Sequence, residues 1–293
     1  MNTGKVAVVT GSTGGIGAEV SEILAANGWD LVLLNRSPEK AEKQLNSLKK
    51  DYPTQKFHSY IANMMDLSEV GKVVEGIAAN HPELSALYHV AGILTDQRLT
   101  SAQGIEGHFA VNTVAPYLIT QLLRRQLSSG SSSSDQKSVV VNFSSSAIKS
   151  VKRLEVSELV NPEKIGGLMG AYAKSKLAVS MVAEMLSEEL AEEGTWILSA
   201  DPGPTKTPMT GGGDGMPWFI RLLQPILFKS PEGQAKKLIS AVDVAVRENA
   251  SGVYVSEGKQ KPLPSIASDQ ELISALQVLL DNQIEPFLKD KGA

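Results

Sequence analysis

Val6-Ala7-Val8-Val9-Thr10-Gly11-Ser12-Thr13-Gly14-Gly15-Ile16-Gly17 decides the fold. Its first four residues form a continuous apolar run without polar alternation, the pattern of a strand buried on both faces. Ile16 to Asn27 then reads as a helix. Between them, glycines let the backbone turn sharply and approach a ligand closely. The helix N-terminus adds unpaired N–H groups and a partial positive charge. A Gly-rich turn alone is ambiguous, but after the first strand of an α/β chain it reads as a pyrophosphate cradle. Gly11, Ser12, Thr13, Gly14, Gly15, Ile16 and Gly17 are its expected contacts.

Working outward, the same rhythm repeats. Asp30–Leu34 reads as a strand, Pro38–Lys50 as a charged helix and Phe57–Ala62 as a strand. Asp66 caps a helix running to about Ala79. Leu84–Val90 is a strand, Ser101–Leu127 a long helix and Val139–Phe143 a strand. Gly170–Glu193 is a helix and Trp196–Ala200 a strand. Apolar strands separated by helices predict an α/β fold: one domain over 1–293, with a Rossmann-type, doubly wound parallel sheet covered by helices on both faces. Two stretches interrupt the rhythm. Ser128–Ser134, nearly all Ser and Gly, reads as a flexible surface loop within the domain. Residues 208–230 carry a Gly-Gly-Gly-Asp-Gly run and then Pro217-Trp218-Phe219. Its apolar part, Met216–Phe228, fits a substrate lid or a packed helix equally. A C-terminal helix is expected over about 268–288.

Composition narrows the function. The chain has 293 residues, 42% of them hydrophobic, and a formal net charge of −4, so nothing basic enough to attract nucleic acid stands out. There is no cysteine, which excludes thiol chemistry. His58, His81, His89 and His108 lack ligand spacing, so no metal is expected. No secretory leader pattern and no apolar run of membrane-spanning length are visible. The expectation is a soluble, cytoplasmic protein.

The second strand ends Leu34-Asn35-Arg36-Ser37. An acidic residue there would accept bonds from a free ribose. Arg36 can instead pair with a 2′-phosphate and stack on adenine. NADP(H) is therefore the preferred cofactor, with NAD(H) as the alternative, and Asn35 and Arg36 are expected to contact it.

Tyr172-Ala173-Lys174-Ser175-Lys176 opens a helix. Tyr172 and Lys176, four apart, share one face. An ammonium beside a phenol favours phenolate and suits it to proton transfer at a carbonyl or alcohol oxygen. Val139–Phe143 runs into Ser144-Ser145-Ser146 at the strand end, where ligands of open α/β sheets sit.

Together these residues resemble the short-chain dehydrogenase/reductase family over about residues 5–256. Thr10-Gly11-x-x-x-Gly15-x-Gly17 resembles its cofactor turn. Tyr172 and Lys176 match its catalytic pair, Ser145 its serine, and Asn112 in Phe109-Ala110-Val111-Asn112 its fourth catalytic residue. The resemblance implies that Ser145 steadies the carbonyl, that Lys176 binds the nicotinamide ribose, and that Asn112 supports a water linking the lysine to solvent. Pro202, Gly203, Thr205 and Thr207 match the loop beside the nicotinamide, Ala91-Gly92 the turn passed by the adenosine half, and Asn63-Met64 its adenine contacts. Asn63 stands where the family has Asp. His89 stands where it has Asn and either takes over that residue's hydrogen-bonding role or is a core histidine, the reading favoured here.

The long stretch between Ser145 and Tyr172, and Glu106-Gly107-His108-Phe109, resemble the retinol dehydrogenase-like branch. That implies an apolar aldehyde, ketone or alcohol of retinoid, steroid or lipid type. The resemblance also implies a homodimer or homotetramer through the helices carrying Asn112 and Tyr172. A non-catalytic NADP-binding regulatory protein, or an epimerase or dehydratase of the same family, stands as the alternative.

Overall fold

The computed structural model of the protein describes residues 4–132, 137–206 and 228–288. Its strands are β1 (Val6–Thr10), β2 (Asp30–Asn35), β3 (Phe57–Ile61), β4 (Ala86–His89), β5 (Ser138–Phe143), β6 (Thr195–Asp201), β7 (Tyr254–Ser256) and β8 (Lys259–Lys261). They join one sheet in the order β3-β2-β1-β4-β5-β6-β7-β8. β1 to β7 run parallel, and β8 returns antiparallel at the edge. The order reverses between β1 and β4, which opens a crevice at the carboxyl ends of those strands. The doubly wound α/β architecture is the one expected. β7 and β8 have no counterpart in the sequence reading, because three-residue strands, one of them Lys-Gln-Lys, give almost no periodic signal.

The helices are α1 (Gly15–Ala26), α2 (Pro38–Asp51), α3 (Leu67–Asn80), α4 (Gly107–Phe109), α5 (Ala115–Ser132), α6 (Ala171–Met185), α7 (Ser187–Glu192), α8 (Pro231–Arg247) and α9 (Gln270–Ile284). α1, α2 and α8 bury Val20, Leu24, Leu48, Leu238 and Val242 against Ala7, Val9, Leu31, Leu33 and Val141 on one face of the sheet. α3, α5, α6 and α9 bury Val74, Leu118, Leu177 and Leu276 against Val8, Leu87, Val140 and Ile197 on the other. Side chains fix the helix starts. Ser37 accepts from Lys40 N–H ahead of Pro38, and Asp66 and Asp269 each accept from two first-turn N–H groups.

Four elements differ from the reading. The helix expected from Ser101 starts at Gly107, because Ser101 and Ile105 close a turn on each other through Gly104 at φ +79°. The helix expected over Gly170–Glu193 breaks at Leu186, where the Ser187 hydroxyl takes the Glu184 carbonyl. The Ser128–Ser134 loop is helical through Ser132. Ser129 and Ser132 bond back to the Arg125 and Ser128 carbonyls, and Gly130 packs so tightly that a Cβ would lie 2.1 Å from the Leu84 carbonyl oxygen. Residues 133 and 134 lie outside the described residues. α8 was not anticipated.

The C-terminal helix is present and ends at Ile284, beyond which Pro286 lacks the N–H to continue it. Ile273, Leu276, Leu280 and Ile284 are buried, and Asp281 accepts the Tyr117 hydroxyl at 2.6 Å. α9 thus packs on α5 and α6, the helices to which the resemblance assigns dimerisation. No described helix is long and apolar enough to cross a membrane. The expected lid over 208–230 falls outside the described residues up to 227.

Candidate active site

A cleft of about 1040 Å³ follows the carboxyl ends of the strands from Arg36 to Tyr172. At one end its wall is the turn after β1. Gly11 has φ +68°, and a Cβ there would lie 2.7 Å from Ala91 Cα. At Gly17 a Cβ would meet the Gly11 carbonyl oxygen at 2.3 Å. Gly14 caps α1 without any side chain, so the first-turn N–H groups are left for a ligand. Gly11, Thr13, Gly14, Gly15, Ile16 and Gly17 line the cleft. Ser12 does not. Its hydroxyl is buried between Asn35 (Nδ2 at 2.8 Å) and Gln44 (Oε1 at 2.7 Å), so its side chain braces the turn from behind.

Asn35 and Arg36 line the same end, Asn35 buried and Arg36 exposed. Lys40, one turn into α2, lies beside them and was missed. Its signal was available, since a basic residue in the first turn of α2 runs against the helix dipole. Asn63 and Met64 line the cleft as expected, with Asn63 Oδ1 also accepting from Met65 N–H at 3.1 Å. Ala91 and Gly92 line it too, with Ala91 N–H held by Thr10 Oγ1 at 3.1 Å.

At the other end Ser145, Tyr172 and Lys176 converge on the cleft. Ser145 also caps a 3₁₀ turn through Ala147 N–H at 3.3 Å. Ser144 is buried on Ser180 Oγ at 2.7 Å. Lys176 donates to the Phe143 carbonyl at 2.8 Å. Burial pulls its ammonium down to about 8, and the Asp201 carboxylate works the other way. Burial pushes the Tyr172 phenol up to about 12, against the Ser145 hydroxyl and with Asp201. The direction is opposite to that expected from a neighbouring ammonium: desolvation of the phenolate is the largest cause, and Lys176 is not among the groups that offset it.

Asn112 does not line the cleft. It sits in a π-turn, Ala110–Val114, that joins α4 to α5. Its Oδ1 accepts from Ile93 N–H at 2.9 Å, and its Nδ2 donates to Ser175 Oγ at 3.0 Å. Ser175 in turn donates to the Tyr172 carbonyl at 2.8 Å. Asn112 therefore ties the loop after β4 to the tyrosine's own helix turn. His89 is a core histidine, as read: its Nε2 meets Thr120 Oγ1 at 2.9 Å.

Pro202, Gly203 and Thr205 line the cleft. Gly203 turns at φ +80°, with its N–H on Asp201 Oδ1 at 2.8 Å. Thr207 lies outside the described residues. Asp201, which was missed, is buried on the Tyr254 and Ser256 hydroxyls at 3.2 and 3.1 Å. Between Ser145 and Tyr172 the chain packs Ile148, Val151, Leu154, Leu159 and Ile165 inward and turns Leu168 and Met169 toward the cleft. Arg98 clamps this stretch through Asn161 Oδ1 at 3.2 Å and the Pro162 and Glu163 carbonyls at 2.7 and 2.9 Å. Ile93, Leu94, Leu99, Leu168, Met169 and Phe228 make an apolar wall of the cleft. Among the described residues no cluster of His, Asp and Glu could hold a metal.

An open α/β sheet with a glycine turn at its switch point and a serine, tyrosine and lysine at the next strand end defines a dinucleotide-type oxidoreductase site. The short chain dehydrogenase family model matches residues 5–157, and the chain belongs to that family of oxidoreductases. Polyprenol dehydrogenase of Mus musculus is 30% identical over 277 residues, covering 92% of this chain and 80% of the relative. Retinol dehydrogenase 13 of Homo sapiens is 26% identical, covering 93% and 82%. These relatives agree with the retinol dehydrogenase-like branch. The NADPH-bound carbonyl reductase from chicken fatty liver superposes with a TM-score of 0.68 at 20% identity, covering 89% of this chain and 99% of that one, a likeness of fold.

Proposed function

We propose that the chain is an NADP(H)-dependent carbonyl reductase or alcohol dehydrogenase for apolar aldehydes, ketones or alcohols of retinoid, steroid or lipid type. One observation carries the reading. A single cleft joins the glycine turn, Arg36 and Lys40 at one end to Ser145, Tyr172 and Lys176 under an apolar wall at the other. The similarity to polyprenol and retinol dehydrogenases, named for apolar alcohols, supports the same substrate class.

The residues fit a dinucleotide. The N–H groups of the Gly11–Gly17 turn would hold a pyrophosphate, Arg36 and Lys40 would pair with a 2′-phosphate, and Pro202, Gly203 and Thr205 would border the nicotinamide. When bound, the nicotinamide supplies or accepts the hydride. The chain's own residues handle the proton. Ser145 holds the substrate oxygen, and Tyr172 donates its phenolic proton to that oxygen in reduction or removes it in oxidation. A phenol pushed up to about 12 is protonated at neutral pH, the form from which a proton is donated in reduction. Lys176, as ammonium, stabilises the phenolate that donation leaves behind.

The test is a panel of aldehydes, ketones and retinoids followed at the nicotinamide absorbance band with each cofactor. Turnover should be fastest with NADPH and apolar carbonyls. Tyr172→Phe should lower kcat at least about 1,000-fold, a little over 4 kcal/mol of barrier, with NADPH affinity held within twofold. Retained turnover in that variant rejects the assignment. Tight NADPH binding without turnover of any carbonyl makes the chain a nucleotide-binding regulatory protein instead.

A further inference from the structure

Glu106 and His108 lie under the substrate end of the cleft, 4% and 0% exposed, and take no part in the chemistry above. His108 Nδ1 is 2.7 Å from Glu106 Oε1, and Glu106 Oε2 accepts Phe109 N–H at 2.9 Å. Thr95, in the cleft wall, donates its backbone N–H to His108 Nε2 at 3.2 Å. An amide N–H cannot accept, so Nε2 carries the lone pair and Nδ1 the proton. The carboxylate thus selects the tautomer that Thr95 needs. The imidazole also meets the Tyr172 ring edge-on, with centroids 6.1 Å apart and planes at 79°.

The backbone extends the same node. Glu106 N–H donates to the Val160 carbonyl in the Ser145–Tyr172 stretch at 2.8 Å, and Gly107 N–H donates to the Leu99 carbonyl at 2.9 Å. Burying a carboxylate and an imidazole is costly compared with apolar packing. What the pair supplies that apolar side chains cannot is direction, since each hydrogen bond has one donor and one acceptor.

We infer that Glu106 and His108 form a positioning dyad that fixes the Tyr172 ring and the substrate-facing loop at Thr95–Leu99 in one frame. The inference rests on the reading of Tyr172 as the proton-transfer group. Neither residue touches substrate; both act through Tyr172 and Thr95.

Glu106→Gln tests it. A carboxylate offers two acceptors to Phe109 N–H and His108 Nδ1–H, whereas an amide offers one acceptor and one donor. One bond is lost, and when the lost one is to His108 the proton moves to Nε2 and Thr95 is expelled. The expected result is a kcat about 10–100-fold lower with a several-fold higher KM for the carbonyl. NADPH affinity should stay within twofold. His108→Gln keeps an acceptor near Thr95 and loses the ring against Tyr172, so its kcat should fall while KM stays nearer the wild type.

Imidazole nitrogen NMR of the wild-type chain, read against His108→Gln for assignment, should show His108 protonated at Nδ1. That measurement decides the case where Glu106→Gln does not fold. Protonation at Nε2, or wild-type kcat and KM in folded Glu106→Gln, overturns the dyad. Tyr172→Phe runs in parallel. Loss of turnover there with an unaffected Glu106→Gln rejects the dyad alone. Retained turnover there rejects the reading of the site, and the dyad with it.

Discussion

At its glycine-turn end the cleft is walled by backbone; at its tyrosine end it is walled by loops that side chains hold in place. Gly11 and Gly17 leave no room for a Cβ, and Ala91 presses directly on Gly11. The other end has one turn as tight, at Gly170, where a Cβ would lie 2.0 Å from the Ile165 carbonyl oxygen, but the rest of its wall is held by side chains. There Arg98, Glu106, His108 and Asn112 reach across the chain to fasten residues 93–99 and 146–170. The first end is stereochemistry of close-packed backbone, Gly17 on Gly11 and Gly11 on Ala91. The second is a set of long-range hydrogen bonds, each worth about 0.5–1.5 kcal/mol. The two should therefore fail differently, one steeply and locally, the other by increments.

The steepest failure is expected from Gly17→Ala. Its methyl carbon would lie 2.3 Å from a backbone oxygen that has no rotamer to escape into. The turn must move, at a cost of about 2–3 kcal/mol, and the N–H groups that face the pyrophosphate move with it. NADPH affinity, titrated by nucleotide fluorescence, should fall at least about 100-fold, near 2.7 kcal/mol. Less than a threefold change would mean that the turn does not hold the nucleotide.

The two ends share one sheet, and His89 tests that shared support. It ends β4, paired in register with Thr10 on one side and Asn142 on the other. The Thr120 hydroxyl donates to the Pro116 carbonyl, so it accepts from His89 Nε2–H, while Nδ1 is buried with no hydrogen-bond partner. Burial pulls the imidazole down to about 3. The sign follows from which state binds the proton. Below about 6.5 the unfolded chain takes one up, while the folded chain refuses it until about 3. Stability is complete above 6.5 and drains as pH falls. Urea unfolding at pH 5 should show about 2 kcal/mol less stability than at pH 7 from this group. His89→Gln, which cannot titrate, should lack that increment. An identical pH slope in both proteins would remove His89 as its source.

The contrast also explains what could be read in the sequence. The glycine turn, Asn35–Arg36 and the Tyr172–Lys176 spacing are local patterns, each fixed within a few residues by conformation or helix period. Ser145 needed only the end of a strand. Ser12 and Asn112 were read as part of the site by position, yet both turn their side chains to other backbone and side-chain groups, which no local pattern reveals. Asp201 carried a visible signal, a carboxylate on an apolar strand before Pro202-Gly203. Arg98 carried none, since its three acceptors lie more than 60 positions away. The raised phenol at Tyr172 was also out of reach, because burial is a property of the whole fold.

Arg36→Ala should give a smaller, selective effect at the glycine-turn end. Arg36 is exposed, so its pairing with a 2′-phosphate is partly screened. KM for NADPH should rise about 10-fold, with KM for NADH unchanged, and the difference should shrink in high salt. Lys40→Ala should add to it only partly, because the two cations would share one phosphate. Equal losses for both cofactors would assign Arg36 to the adenine or to the fold.

Arg98→Ala should give the smallest change, and it separates the two ends most sharply. The side chain makes three bonds to the stretch that carries Leu168 and Met169, all near the surface and open to replacement by water. Their joint loss should cost no more than about 2 kcal/mol. It should appear as a two- to fivefold rise in the carbonyl KM, about 0.4–1 kcal/mol of binding. NADPH affinity should not move, because the hydrogen bonds of Arg98 go to Asn161, Pro162 and Glu163 and none goes to the glycine turn. A drop in nucleotide affinity equal to the rise in KM would join the two ends into one mechanical unit. The division between a stereochemical end and a hydrogen-bonded end would then be wrong.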